Sequence, residues 1–408
     1  MNRPHHQRSP GIYLLVAMFL LAAPWSGGPT EASEVAALTT AKLVLLVITG
    51  AVVWLRRPAG RTPVAPAIAF LALYACLTMV GAAFTPTGAA SESINRGLRY
   101  LITCLLVVWL APRLSLHAVK RACVGLGVVL ATEAVLAEWA GLHGAAQGRL
   151  GGYIPPMHPN ALAGVMGVAT LIATDAWVRS EKDWLVPPGV LAVGLAATLL
   201  ETGSRTSMAA IGIGFLALVA HGGVRDRRGV ALTWIILATS SIIIVTLGPS
   251  GLWNTVTRNG QSAVDTTFSG RSYAWSSVRS ANHTADEVLF GQGLAVKRAK
   301  VDRQFVDEQT VDGSWHSAYL EGGLVGLGVM TAALGLTALR LRRRRRSERA
   351  IAVAILTFLV AQSVLESTLN DVSYSLVLFL VLAALPVPRR EPRVAAAPTE
   401  PAWAGRTG

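Results

Sequence analysis

The chain has 408 residues, of which 52% are hydrophobic and 14% charged, and its mean hydropathy is +0.48. That is too apolar and too weakly charged for a soluble domain of this length, so the class is membrane. The formal net charge of +13 would point a soluble protein toward nucleic acid, but no nucleic-acid partner is expected here, because the basic residues sit in alternate loops between apolar stretches.

Apolar stretches close to the ~20 residues needed to cross a bilayer recur along the chain. Twelve are expected, near 11–26, 36–55, 64–84, 94–111, 120–141, 160–178, 184–202, 206–221, 230–248, 316–339, 350–369 and 372–387. The first reads as an uncleaved helix, because Pro24 and Trp25 suit an interfacial end better than a small-x-small cleavage site. Arg3 and Arg8 precede it, Arg56, Arg57 and Arg61 follow the second span, and Arg113, Lys120 and Arg121 follow the fourth. Arg179 and Lys182, then Arg225, Arg227 and Arg228, the run Arg340 to Arg346, and Arg389, Arg390 and Arg393 continue the alternation. This positive-inside pattern predicts that both termini are cytoplasmic. The arginine run reads as a topological anchor that could also meet anionic lipid head groups. Cys76, Cys104 and Cys123 lack metal-ligand spacing and read as small apolar residues.

The predicted outer loops lie near 27–35, 85–93, 142–159, 203–205, 249–315 and 370–371. The 249–315 loop, about 65 residues long and mixed in charge, is the expected functional one. Within it, 271–281 reads as a short amphipathic helix started by Ser269-Gly270, with Tyr273 and Trp275 suited to an interface. The membrane domain is expected over 1–393, followed by a mobile cytoplasmic tail, 394–408.

Polar groups gather at the outer ends of the spans, where charge is costly and usually retained for a purpose. They are Glu133 and Glu138, His143 and Arg149, His158-Pro159-Asn160, Glu201 and Arg205, His316, and Glu366 with Asp371. Arg205 follows the tight Glu201-Thr-Gly-Ser turn and falls in the first turn of span eight. A cation there opposes the macrodipole, which makes sense if an anion such as phosphate binds at that end; the bland alternative is a pair with Glu201 or snorkelling. His316 opens a glycine-rich span and is suited to act as a general base. Tyr319 shares its helical face, whereas Glu321 is about 140° away, at ~100° per residue, and is a poor candidate to orient the histidine. His158-Pro-Asn160 has a simple structural account, with Pro159 in a first helical turn, although Asn160 could hydrogen-bond a sugar or phosphate. Arg258, Arg271 and Arg279 are solvated charges by default, but an arginine beside Trp275 could grip a diphosphate. No D-x-D occurs in an outer loop, so no metal and no cofactor are expected.

The blocks R-L-G-G-Y…H-P-N-A-L-A (149–163), E-T-G-S-R-T-S (201–207), S-G-R-S-Y-A-W (269–275), F-G-Q-G (290–293) and H-S-A-Y-L-E-G-G-L-V-G (316–326) occur in an order that resembles the O-antigen ligase and polymerase family, across roughly 90–385. The resemblance implies an all-α membrane protein like the GT-C-type glycosyltransferases, with the large loop between spans nine and ten. It implies transfer of a glycan from an undecaprenyl-diphosphate carrier to a hydroxyl-bearing glycan or glycolipid acceptor, on the outer face of the bacterial cytoplasmic membrane and among membrane lipids. Carried over by motif position, Arg205 and Arg271 would hold the diphosphate and His316 would serve the acceptor. Apart from the resemblance, Arg258 or Arg279 is expected to assist, and His158, Asn160, Tyr319 and Glu133 are expected to touch substrate. Two readings from other classes stay open. A transporter or flippase for lipid-linked or acidic solutes should show repeat symmetry and midplane charge, and a non-catalytic scaffold would need no histidine-arginine constellation.

Overall fold

The computed structural model describes residues 10–22, 44–45, 47–52, 55, 64–84, 90–142, 149–222, 271–281, 283–300 and 308–387. Among these, the chain runs α1 (Pro10–Ala22), α2 (Pro66–Phe84), α3 (Ala90–Leu110), a single 3-10 turn (Ala111–Arg113), α4 (Leu116–Trp139), a small hairpin of β1 (Gly152–Tyr153) and β2 (Pro156–Met157), α5 (Pro159–Val178), α6 (Pro188–Glu201) and α7 (Arg205–Gly222). Then come α8 (Arg271–Ser280), α9 (Ala285–Phe290), a second hairpin of β3 (Arg298–Lys300) and β4 (Glu308–Thr310), α10 (Ser314–Arg342), α11 (Arg346–Leu365) and α12 (Tyr374–Ala384). The starts follow local chemistry: Ser115 and Ser373 cap α4 and α12 through their hydroxyls, and Thr284 with Glu287 forms a capping box on α9.

Among the described residues, six helices are long and apolar enough to cross a membrane, and four shorter ones are apolar. These ten lie on ten of the twelve predicted stretches. The other two, near 36–55 and 230–248, lie largely or wholly outside the described residues, as do 249–270 of the large loop, Arg258 and His143, and the 394–408 tail. The predicted amphipathic helix is present as α8.

α5 is the axis of the bundle. Every residue from Leu162 to Ala176 is buried, as expected of a helix that is apolar on all sides. Small residues let neighbours approach: a Cβ on Gly167 would sit 2.6 Å from the Phe358 ring of α11, and one on Gly127 of α4 would sit 2.7 Å from Ala169. α12 is enclosed in the same way from Tyr374 to Ala383. The outward faces carry exposed Val129, Leu136, Val193, Leu216 and Leu339, which suits a lipid surround.

The two ends of the bundle differ. At one, Lys120 meets Asp175 (3.1 Å) and Glu181 (2.5 Å), and Arg179 meets Asp175 (2.7 Å), joining α4 to the end of α5. There Arg340 and Arg344 both donate to the carbonyl of Leu385 (3.2 and 3.1 Å) and hold the end of α12. Part of the arginine run is therefore packing, while Arg342, Arg343, Arg345 and Arg346 are exposed. At the other end, the starts of α5, α7 and α10 meet the ends of α4, α6 and α11, with α8 and α9 laid over them.

Candidate active site

The site begins at the turn between α6 and α7. Gly203 takes φ +61°, and a Cβ there would lie 3.4 Å from Nε of Arg149. That close turn presents the Thr202 carbonyl to Arg149 Nε (2.8 Å), while Arg149 Nη2 donates to Oδ1 of Asn160 (2.7 Å). Asn160 sits in the first turn of α5, where Pro159 is the first helical residue, as expected, and His158 is the cap, its Nδ1 accepting from Asn160 N.

From Asn160 the network crosses the bundle. Its Nδ2 donates to Oε1 of Glu366 (2.9 Å), an oxygen that also accepts from Nη2 of Arg271 (2.9 Å), and Arg271 Nε donates to Oδ2 of Asp312 (3.0 Å). Glu366 ends α11, and its carbonyl receives both the backbone N–H and the hydroxyl of Ser314 at the start of α10 (3.2 and 2.9 Å). One residue thus ties α5, α8 and α10 together. Trp275, one turn after Arg271 on α8, donates its indole N–H to the Asp312 carbonyl (2.6 Å) and stacks on His316, with ring centroids 4.3 Å apart and planes 3° from parallel. Gly313, at φ +98°, allows this approach, since a Cβ there would strike the Val364 carbonyl at 2.6 Å.

Burial pushes the Glu366 carboxyl above the ordinary carboxylate range, against the opposing pull of Arg271. Burial alone would lower Arg271, but Glu366 and Asp312 more than offset it, so the guanidinium is held charged. His158 is shifted down, first by burial and then by the Arg149 charge.

Of the predicted site residues, Arg271, Asn160, His158 and His316 are brought together. Arg205 is the first residue of α7, three positions after the carbonyl that anchors Arg149. Arg279 is exposed in the last turn of α8, and its Nε lies 3.3 Å from the Trp275 carbonyl. Tyr319 packs edge-on to His283, ring centroids 6.2 Å apart, in a small apolar cluster with Ala274 and Val278. Glu133 is used by the first hairpin, its Oε1 accepting from the N–H groups of Tyr153 (3.0 Å) and Ile154 (2.6 Å).

A second buried network lies beside the first. Glu321 pairs with Lys297 and accepts from Tyr74 Oη (3.0 Å) and Asn370 Nδ2 (2.8 Å), and Lys297 also meets Asp371 (3.2 Å). Glu321 is thus engaged away from His316, as its helical angle implies. The F-G-Q-G block docks at the same place, with Gln292 N donating to the Leu320 carbonyl (2.8 Å) and Gly293 N to that of Glu321 (2.9 Å).

Sequence reasoning missed Asp312 and Trp275 as members of the site and left Arg149 and Glu366 at its margin. One signal could have found Trp275: it lies four residues from both Arg271 and Arg279, on one face of a helix already expected there. Residues 190–331 match the family model for O-antigen ligase, which bears out the resemblance carried by the motifs in that segment. The match includes Arg205, Arg271, Arg279, His316 and Tyr319, whereas Arg149, His158, Asn160 and Glu366 lie outside it. No curated protein matches the chain.

Proposed function

We propose that this chain, a multi-pass membrane protein of O-antigen ligase or polymerase type, transfers a glycan from an undecaprenyl-diphosphate carrier to an acceptor hydroxyl, and does so at the network just described. The observation that carries this reading is the joining of Arg271, Asn160 and Glu366 to the Trp275–His316 pair at the end of the bundle assigned to the outside by the basic-loop pattern. Arginines suit a diphosphate because their forked donors match its oxygens and stay charged when buried. Arg271 and Arg205 neutralise the charge that builds on the departing diphosphate, with Arg258 or Arg279 assisting. His316 takes the proton from the acceptor hydroxyl. The acceptor oxygen then bonds to the anomeric carbon, and the carbon–oxygen bond to the diphosphate breaks with its electron pair leaving on the carrier. Ligase and polymerase share these steps and differ in the acceptor.

The test is acceptor-dependent release of undecaprenyl diphosphate from a carrier-linked glycan by the purified protein. Arg205→Ala should lose about 1.5–3 kcal/mol of transition-state stabilisation, on the scale of a charge-assisted hydrogen bond, and Arg205→Lys should recover part of it. A correctly inserted Arg205→Ala protein with full activity contradicts the assignment of that residue.

A further inference from the structure

A general base is rarely left alone in a protein. The imidazolium it becomes is usually steadied by a carboxylate on its far nitrogen. His316 lacks that arrangement: its Nδ1 is buried and has no hydrogen-bond partner among the described residues. That leaves Nε2 to receive a proton, and Nδ1 then carries the ring hydrogen with no acceptor among the described residues. The carboxylates nearest in the network are committed elsewhere, Glu366 and Asp312 to Arg271 and Glu321 to Lys297. What the imidazole does have is a ring, the indole of Trp275, lying parallel to it at 4.3 Å.

We infer that Trp275 is a positioning residue for His316, and that its indole face steadies the imidazolium formed when the acceptor hydroxyl gives up its proton. This rests on the reading of His316 as the base. A cation over the face of tryptophan is attracted by the ring quadrupole. A neutral imidazole gains only the ordinary stacking energy, so the contact strengthens as the charge develops and favours the transition state over the bound substrates. The proton balance is unchanged: it moves from the acceptor oxygen to Nε2, and no group other than His316 gains it. The indole is held for this task, because its N–H is fixed by the Asp312 carbonyl and the same residue's carboxylate holds Arg271. One short segment, Asp312-Gly313-Ser314, therefore sets the aromatic face, the arginine and the start of the helix that carries His316.

The experiment replaces Trp275 with singly, doubly and fully fluorinated tryptophan by site-specific incorporation. These keep the shape and the indole N–H while draining charge from the face. Single-turnover release of undecaprenyl diphosphate from a carrier-linked glycan is followed in native membranes that hold the acceptor. Expected is a stepwise fall in rate with each fluorine added, reaching roughly three- to thirty-fold on the cation–π scale, with KM for the carrier substrate unchanged. Trp275→Phe should keep more activity than Trp275→Leu. Equal rates across the fluorinated series overturn the inference, whatever Trp275→Leu does to folding. His316→Gln, measured in the same membranes, separates the two failures. If it is as fast as wild type, the base assignment is wrong; if it is inactive while fluorination has no effect, only the role of Trp275 is lost.

Discussion

Arg271 is shared by two carboxylates before any substrate arrives, Glu366 at 2.9 Å and Asp312 at 3.0 Å, and this sets what its replacement should do. Arg271→Ala removes the proposed diphosphate ligand and also leaves two half-buried acids without their shared cation. Transfer should fall by about 1.5–3 kcal/mol or more, and Arg271→Lys should recover little, because an ammonium cannot span both partners; kinetics of the purified variants check this. Glu366 gives the pH dependence. Burial raises its pKa, so it takes up a proton at higher pH than an ordinary carboxylate, and the ionised form is the one that holds Arg271 and Asn160. Activity should therefore be retained above that raised value and be lost as pH falls through it. Glu366→Gln still offers an oxygen to Asn160 but cannot titrate, so its rate profile should lack this acid limb. An identical limb in Glu366→Gln would assign the titration to another group.

At the scale of elements, α10 is a broken helix. Gly323 sits at φ 63° and ψ −163° within it, and a Cβ there would strike the Leu289 carbonyl at 2.3 Å. The break lets the F-G-Q-G segment seat its N–H groups on the first half of the helix, four and five residues past His316. Gly323→Ala should cost about 1–3 kcal/mol from the backbone conformation alone, a region open essentially only to glycine, more with the clash, and should lower both thermal stability in detergent and transfer. Gly335→Ala, on the regular half where a Cβ meets nothing within 4 Å, should be neutral or stabilising by up to about 1 kcal/mol. Equal behaviour of the two variants would contradict the docking role of the break. The helices themselves were legible in the sequence because apolar runs near membrane length allow few other structures. α8 was legible from its polarity pattern, and the start of α5 from Pro159. The break was not: the glycine-rich span that His316 opens carries no mark of which glycine leaves the helix, and only the carbonyl of Leu289, distant in sequence, shows that a positive φ is needed. Likewise Arg271 and His316 stood out by residue type, but the Asn160–Glu366 bond joins residues 206 apart, and no periodicity reports such a contact.

For the whole molecule, the polar chemistry lies at one end and the Lys120–Asp175–Arg179 cluster with the exposed arginines at the other. In a variant lacking Cys76, Cys104 and Cys123, cysteines placed at exposed Ala281 and Arg343 should differ toward a membrane-impermeant thiol reagent in intact cells, with Ala281→Cys labelled and Arg343→Cys protected. The reverse would put the site on the cytoplasmic face and exclude transfer to an outer acceptor. The proposed mechanism has His316 move the acceptor's proton in a glycan transfer that uses no metal. It is tested most directly by comparing wild type and His316→Gln, purified, with carrier-linked glycan and acceptor and with a chelator present throughout. Expected are full wild-type transfer in chelator and a loss of about 10²–10⁴-fold in His316→Gln; chelator-sensitive wild-type activity, or a His316→Gln rate close to wild type, rules out His316 as the base of a metal-free transfer.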